Sequence, residues 1–341
     1  MGLRLPRGRP LRLYGQEGAV TTILSRPRLL LPVVLLTALA ALSIAACGGG
    51  DSSDKLVLTP VNTKYLPTVI SDDLAVGQNR FVLGLLTQED NTPVVDAVLH
   101  LRFFLLDGAE GTLKFEAEAK PLKITRSYTH THPDGTVETH EVGDTGAYDA
   151  TVTFDTAGTW GVEVAGTVAG EPIEPVRPTF SVNQKSFGLS VGDAAPRSVQ
   201  TLLKDVTDIR DIDTSEVPIP EMHDKTIADA VTSGKATLVI FATPAFCQSQ
   251  ICGPTKSIVD DLYARYSAQA NFVHVEPYDV VRLRNNNCPS LEECISPVLD
   301  EWKLQSEPWV FLVDKNGNIA AKFEAIVTLD ELEAALAPLL G

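Results

Sequence analysis

The sequence predicts two domains of different class, an all-β sandwich over residues 55–182 followed by an α/β domain over residues 197–341. Three observations predict it. Between Phe81 and Val182, short alternating apolar runs recur with turn residues between them and no 3.6-residue period. Beyond Thr226, buried β-type runs alternate with helical patterns. The chain then closes on a two-residue hairpin signal, Asn316-Gly317, and a capping box, Thr328-x-x-Glu331. The 341 residues leave room for two ordinary domains of roughly 100–200 residues each.

Residues 1–46 have the layout of an export signal: Arg26 and Arg28, the apolar run Leu29 to Ala46, then small residues before Cys47. Ile44-Ala45-Ala46-Cys47 resembles a bacterial lipobox, which implies that Cys47 is lipidated and becomes the mature N-terminus. A plain membrane-spanning anchor is the alternative, because the run is just long enough to cross. Residues 47–54, rich in glycine, serine and aspartate, read as a flexible tether. The lipid would hold the chain on the membrane, outside the cytoplasm. The chain carries 28 basic and 44 acidic residues; without residues 1–46 the balance is 22 to 43, a net charge of −21. Such a body repels nucleic acid, so none is expected as a partner.

The expected strands of the first domain are Phe81–Leu86, Ala97–Leu106, Leu113–Ala119, Tyr148–Phe154, Trp160–Val168 and Pro178–Val182. Asn91-Thr92-Pro93, Asp107-Gly108 and Ala157-Gly158 mark turns. Asp144-x-Gly146-x-Tyr148 resembles the tyrosine corner of immunoglobulin-like folds, with Ala150 where antibody domains have cysteine. A hairpin turning at Pro133-Asp134-Gly135 would put His130, His132 and His140 on one face, since strand side chains alternate. Three imidazoles can hold copper or zinc; the same pattern is equally that of a polar, solvated hairpin.

Residues 183–196 read as a linker, and Lys204 to Asp224 as a polar stretch with no period. The expected elements of the second domain are helices at Thr226–Thr232, Ser257–Tyr266 and Val298–Leu304, and strands at Thr237–Ala242 and Phe272–Val275. A hairpin, Trp309–Val313 with Ile319–Phe323, and a last helix complete it. Cys247 and Cys252 fall where a buried strand gives way to a helix, and helix N-termini favour the thiolate. Cys47 apart, four cysteines remain, in two close pairs, and permit three connectivities.

This domain resembles the thioredoxin-like TlpA/ResA group of envelope thiol-disulfide proteins. Gly192-Asp193-Ala194-Ala195-Pro196 resembles their entry segment, and Cys252-Gly253-Pro254-Thr255-Lys256 is similar to the Cys-Gly-Pro-Cys-Lys motif of thioredoxins. Glu307-Pro308 matches the position of their cis-proline, which implies that Pro308 orients a substrate backbone. The resemblance implies thiol-disulfide exchange with protein or small-molecule thiols, Cys252 attacking and Cys247 resolving. Two positions depart from the family: Thr255 replaces its resolving cysteine and Ile240 its buried acid. A binding or scaffold lipoprotein with structural disulfides is the competing reading.

Peroxiredoxin and copper-chaperone readings fit less well. Ser249 suits the peroxiredoxin motif, but Pro244 is one residue too distant and no arginine follows Arg284. Sco-type copper chaperones use Cys-x3-Cys, one residue shorter than Cys247-x4-Cys252. Cys288 and Cys294 read as a disulfide stapling an inserted loop, with an electron relay as the sharper alternative.

Overall fold

The computed structural model describes residues 55–57, 63–108, 110–131, 137–247 and 251–341, with backbone alone at 55–57, 125–131 and 137–144. The export-signal segment, Cys47, the tether and His132 lie outside the described residues. Among the described residues, no helix is long and apolar enough to cross a membrane. Residues 51–341 form one compact unit.

Its first half holds nine strands: β1 Lys55–Val57, β2 Tyr65–Val69, β3 Gly77–Thr87, β4 Ala97–Asp107, β5 Glu110–Thr131, β6 Val137–Phe154, β7 Gly158–Val168, β8 Glu171–Val176 and β9 Thr179–Val182. All pair antiparallel in the order β2-β3-β6-β5-β4-β7-β8, with β1 added on β5 and β9 on β7. The alternation read from β4 is real: Ala97, Leu99, Leu101 and Phe103 are buried while Val98 points out. Phe81, Phe103, Phe154 and Trp160 interlock, Phe81 on Phe103 at 5.1 Å and Phe154 on Trp160 at 4.9 Å between ring centres, both edge-on.

Two expectations change here. The strands do not divide cleanly into two separate immunoglobulin-type sheets: β2, β3 and β6 form one group, β1, β4, β7, β8 and β9 the other, and β5 belongs to both. β5 is 22 residues long; its first half pairs with β4 and its second with β6, so one continuous sheet folds over its own core, and β8 returns against β2 to close it nearly. Nor is there a tyrosine corner. The Tyr148 hydroxyl donates to the Val94 carbonyl at 2.8 Å and accepts from the Ala97 amide at 2.9 Å, tying β6 to the entry of β4. A corner would reach back only a few residues. Gly146 has its own reason: a Cβ there would stand 2.4 Å from the Leu122 carbonyl, so only glycine lets β6 close on β5.

Residues 183–196 are pinned at both ends. Asn183 exchanges hydrogen bonds with Leu74 and Val76, and Asp193 and Ala195 bond to Ile319 and Gly317. The polar stretch beyond contains three short 3-10 turns, at Leu203–Asp205, Ile209–Asp211 and Pro220–His223.

The second half follows as α1 Ile227–Val231, β10 Thr237–Phe241, α2 Cys252–Tyr266, β11 Asn271–Val275, α3 Val280–Arg284, α4 Pro297–Trp302, β12 Trp309–Val313, β13 Ile319–Glu324 and α5 Leu329–Leu336. The sheet order is β11-β10-β12-β13, with β10 and β11 parallel and the other pairs antiparallel. Every residue of β10, β11 and β12 is buried: β10 and β12 are central strands, and the edge strand β11 is covered on both faces as well. Val239, Phe241, Phe311 and Trp302 pack on one face; Leu238, Ile240, Leu312, Val259 and Leu332 pack on the other. At the start of α5 the Thr328 hydroxyl accepts from the Glu331 amide at 3.3 Å, while the Glu331 carboxylate accepts from the Thr328 amide at 2.9 Å.

Candidate functional site

Strand register assembles the site. Phe241 at the end of β10 lies opposite both Val275 at the end of β11 and Trp309 at the start of β12. Three segments therefore meet at one sheet edge: the loop from Ala242, the residues after Val275, and Glu307-Pro308, whose peptide bond is cis. The loop is tightly turned, with the Phe246 and Cys247 amides both donating to the Thr243 carbonyl. The Ala245 amide adds a bond of 3.1 Å to the Thr214 hydroxyl.

Cys247 and Cys252 are disulfide-bonded, their Cα atoms 6.0 Å apart. Helix α2 begins at Cys252, five residues before the helical pattern expected from Ser257, so Cys252 occupies its first turn. The two sulfurs are not equivalent. Cys252 is fully buried in the apolar layer with Ile240, Met222 and Val259, whereas Cys247 is half-buried at the edge. The Cys252 amide donates to the Cys247 sulfur at 3.4 Å. Thr255, expected from the resemblance to stand where thioredoxins have a resolving cysteine, is buried, and its hydroxyl donates to the Ala325 carbonyl at 3.4 Å.

The cis dipeptide supplies a group besides proline. The Glu307 carboxylate and the two sulfurs all lie within 4.8 Å of one another. The Tyr278 hydroxyl, from the segment after β11, donates to Glu307 at 2.9 Å. Burial pushes the Glu307 carboxyl above the usual glutamate range, against the lowering effect of the Tyr278 bond. Burial and the neighbouring Glu307 charge push the Tyr278 phenol up as well. In the sequence Glu307 stood out only as the neighbour of Pro308. No local spacing signals its contact with the cysteines, because strand register across the sheet makes it.

Cys288 and Cys294 are also bonded, with Cα atoms 5.9 Å apart. Cys294 is buried, and its carbonyl accepts from the Asp279 amide at 2.8 Å, so this bridge closes the base of the inserted loop carrying α3. A cavity of about 560 Å³ lies beside the loop, bounded by Cys294, Tyr278, Glu276, His274 and His223 among others. In the β5–β6 hairpin, His130 lies opposite Glu138 and Tyr128 opposite His140 in backbone register. His132 lies outside the described residues, so the three-histidine metal site stays an expectation.

No family model matches the chain, and no curated protein matches it. Among solved structures the chain is similar to a protein described as thiol:disulfide interchange protein DsbE from Chlorobium tepidum, at 18% identity and a TM-score of 0.29, covering 45% of this chain and 99% of that one. A thioredoxin-family thiol:disulfide interchange protein from Chlorobium tepidum TLS is similar at 16% identity and a TM-score of 0.25, covering 36% and 90%. At such scores the chemistry rests on this chain's own residues.

Proposed function

We propose that the chain is a lipid-anchored envelope protein whose C-terminal half, a thioredoxin-like domain, exchanges thiols and disulfides outside the cytoplasm. The observation that carries the proposal is the Cys247–Cys252 bridge, one sulfur accessible and one buried, at the first turn of α2 beside the cis peptide before Pro308. Burial exchanges the roles suggested by the resemblance: Cys247 is the sulfur a partner reaches, and Cys252 resolves.

In the oxidised protein an incoming thiolate attacks the Cys247 sulfur, forming a mixed disulfide as Cys252 leaves as a thiolate. A second thiol of the partner then attacks the partner's own sulfur in that bond, releasing Cys247; two electrons pass to the protein and the partner becomes a disulfide. In the opposite direction the Cys247 thiolate attacks a partner disulfide and Cys252 closes the bridge, releasing a dithiol. The α2 amide stabilises charge on Cys247, Glu307 is placed to hold or take a proton at the sulfurs, and Pro308 flanks the partner's backbone. The two cysteines carry this chemistry without a cofactor.

Equilibration of the chain in glutathione buffers, with alkylation and mass spectrometry assigning each cysteine, tests the proposal. A reversible Cys247/Cys252 couple above about −300 mV supports exchange. A couple below that value, or thiols that never pair, makes the bridge structural and the protein a scaffold.

A further inference from the structure

A second cluster, unused by the redox chemistry, lies behind the same sheet edge. Asp213, His223 and His274 are 0%, 2% and 1% exposed. The Asp213 Oδ2 is 2.9 Å from His223 Nε2 and 3.3 Å from His274 Nδ1. The three atoms lie within 4.8 Å of one another. A cation held at about 2.0–2.1 Å by nitrogen and oxygen donors needs ligand atoms about 2.9 Å apart in an octahedron and about 3.3 Å apart in a tetrahedron. The Asp213 spacings, 2.9 Å and 3.3 Å, lie within the range these two geometries span, the shorter being that of a hydrogen bond from His223 in the absence of a cation.

The hydrogen bonding points the same way. His274 Nε2 faces the Ala242 carbonyl at 3.0 Å and can only donate to it, which leaves the neutral ring a lone pair at Nδ1. That lone pair has no hydrogen-bond partner and faces a carboxylate oxygen, an arrangement that needs a cation or a proton between them. Among the described residues, Ser215 Oγ is another buried side-chain polar atom without a partner. Ser215 donates its amide to the other Asp213 oxygen at 2.8 Å. The outer bonds already match those that orient metal ligands: a backbone carbonyl on His274 and a backbone amide on Asp213. Lys256, also buried nearby, is paired with Asp260, and its charge is felt at Asp213 and both histidines. The cavity of about 560 Å³ reaches both His223 and His274.

We propose that Asp213, His223 and His274 bind a divalent first-row transition cation of the zinc or ferrous class, its remaining positions facing the cavity. Two imidazoles and one carboxylate suit these ions and disfavour calcium and magnesium, which take oxygen ligands. The site shares no ligand with the Cys247–Cys252 bridge, so it stands or falls apart from the redox proposal.

The test is zinc and cobalt(II) uptake by the chain with both disulfides oxidised, in a background of His130→Ala, His132→Ala and His140→Ala that silences the hairpin. The expected result is one equivalent of zinc, with X-ray absorption showing imidazole nitrogen and oxygen and no sulfur. His223→Ala is expected to weaken binding at least about a hundredfold, as loss of a first ligand should exceed the 10–100-fold cost of an outer partner. Should that variant misfold, the absorption spectrum of the chain with His223 intact decides. No uptake by the oxidised chain, sulfur in the shell, or undiminished affinity in a folded His223→Ala chain overturns the site and leaves a proton between Asp213 and His274.

Discussion

The backbone amide of Cys252 is directed at the sulfur of Cys247, 3.4 Å away, so the first turn of α2 serves the loop cysteine. With the bridge reduced, that donor and the helix dipole favour a thiolate on the half-buried Cys247, while the buried Cys252 gains nothing from solvent. Cys252→Ser should therefore leave a chain that alkylates readily at neutral pH and accumulates a mixed disulfide with glutathione. Cys247→Ser should alkylate slower by about tenfold or more, since burial protects and raises a thiol. Mass-resolved alkylation rates check this, and the reverse order would return the attacking role to Cys252.

Glu307 sets the pH response of that thiol. Its charge, within 4.8 Å of both sulfurs, opposes a second negative charge on Cys247. Glu307→Gln should move the alkylation midpoint down by about half to one pH unit and raise the rate at pH 7 about three- to tenfold. Tyr278→Phe acts in the same sense and more weakly, because loss of its bond lets the Glu307 carboxyl keep its proton to higher pH. An alkylation profile that neither substitution moves would remove Glu307 from the chemistry.

What the sequence disclosed follows the range of each contact. β4 and β10 were legible because burial is written into adjacent residues, and the capping box because Thr328 and Glu331 are three apart. β2 and β8 were missed: each is a short outer strand containing proline, Pro67 in one and Pro172 and Pro175 in the other, which blurs the strand signal. The start of α2 lies ahead of the expected Ser257 because Gly253 and Pro254 hide a helical turn. Asp213 and His223 lie in a stretch without period, and only its folding against β11 brings them to His274. Local pattern gave the elements; the carboxylates beside the cysteines and histidines come from tertiary register.

Acid should stabilise the fold where the two halves meet at Glu324, by removing a buried charge. Glu324, at the end of β13, accepts from the Asp72 amide at 3.1 Å, and burial, with the Asp72 and Asp73 charges adding, pushes its carboxyl up to about 7. The folded chain thus holds this proton more tightly than the unfolded chain, whose carboxyl titrates near the ordinary 4.5. The contribution is complete below about pH 4.5 and is lost as pH rises through about 7. Glu324→Gln keeps an acceptor without the charge, so it should stabilise the protein at pH 8 by about 2 kcal/mol, after allowance for partial exposure, and change little at pH 4.5. Thermal melts at both pH values decide; an equal shift at each would remove the carboxyl as the cause.

Arg80 couples the halves more rigidly. From β3 it donates to the Ile326 carbonyl at 2.8 Å and the Glu324 carbonyl at 3.2 Å, and pairs with Glu331 at 3.1 Å. Its guanidinium also lies over the Phe323 ring at 5.7 Å. Because Glu331 caps α5, one side chain links the first sheet to the end of β13 and to the last helix. Arg80→Ala removes the donors to two carbonyls and the ion pair with Glu331, and should cost about 3 kcal/mol. Arg80→Lys restores one charge but not the fork, and should recover less than half of that loss. Further ties, among them Lys322 to Asp73 at 2.8 Å and Asp72 to Glu324, survive both substitutions, so the halves should loosen without parting. Adding Asp73→Asn to Arg80→Ala should then split a single calorimetric transition into two, one for each sheet, and a transition that stays single in the double variant would show that other contacts carry the coupling.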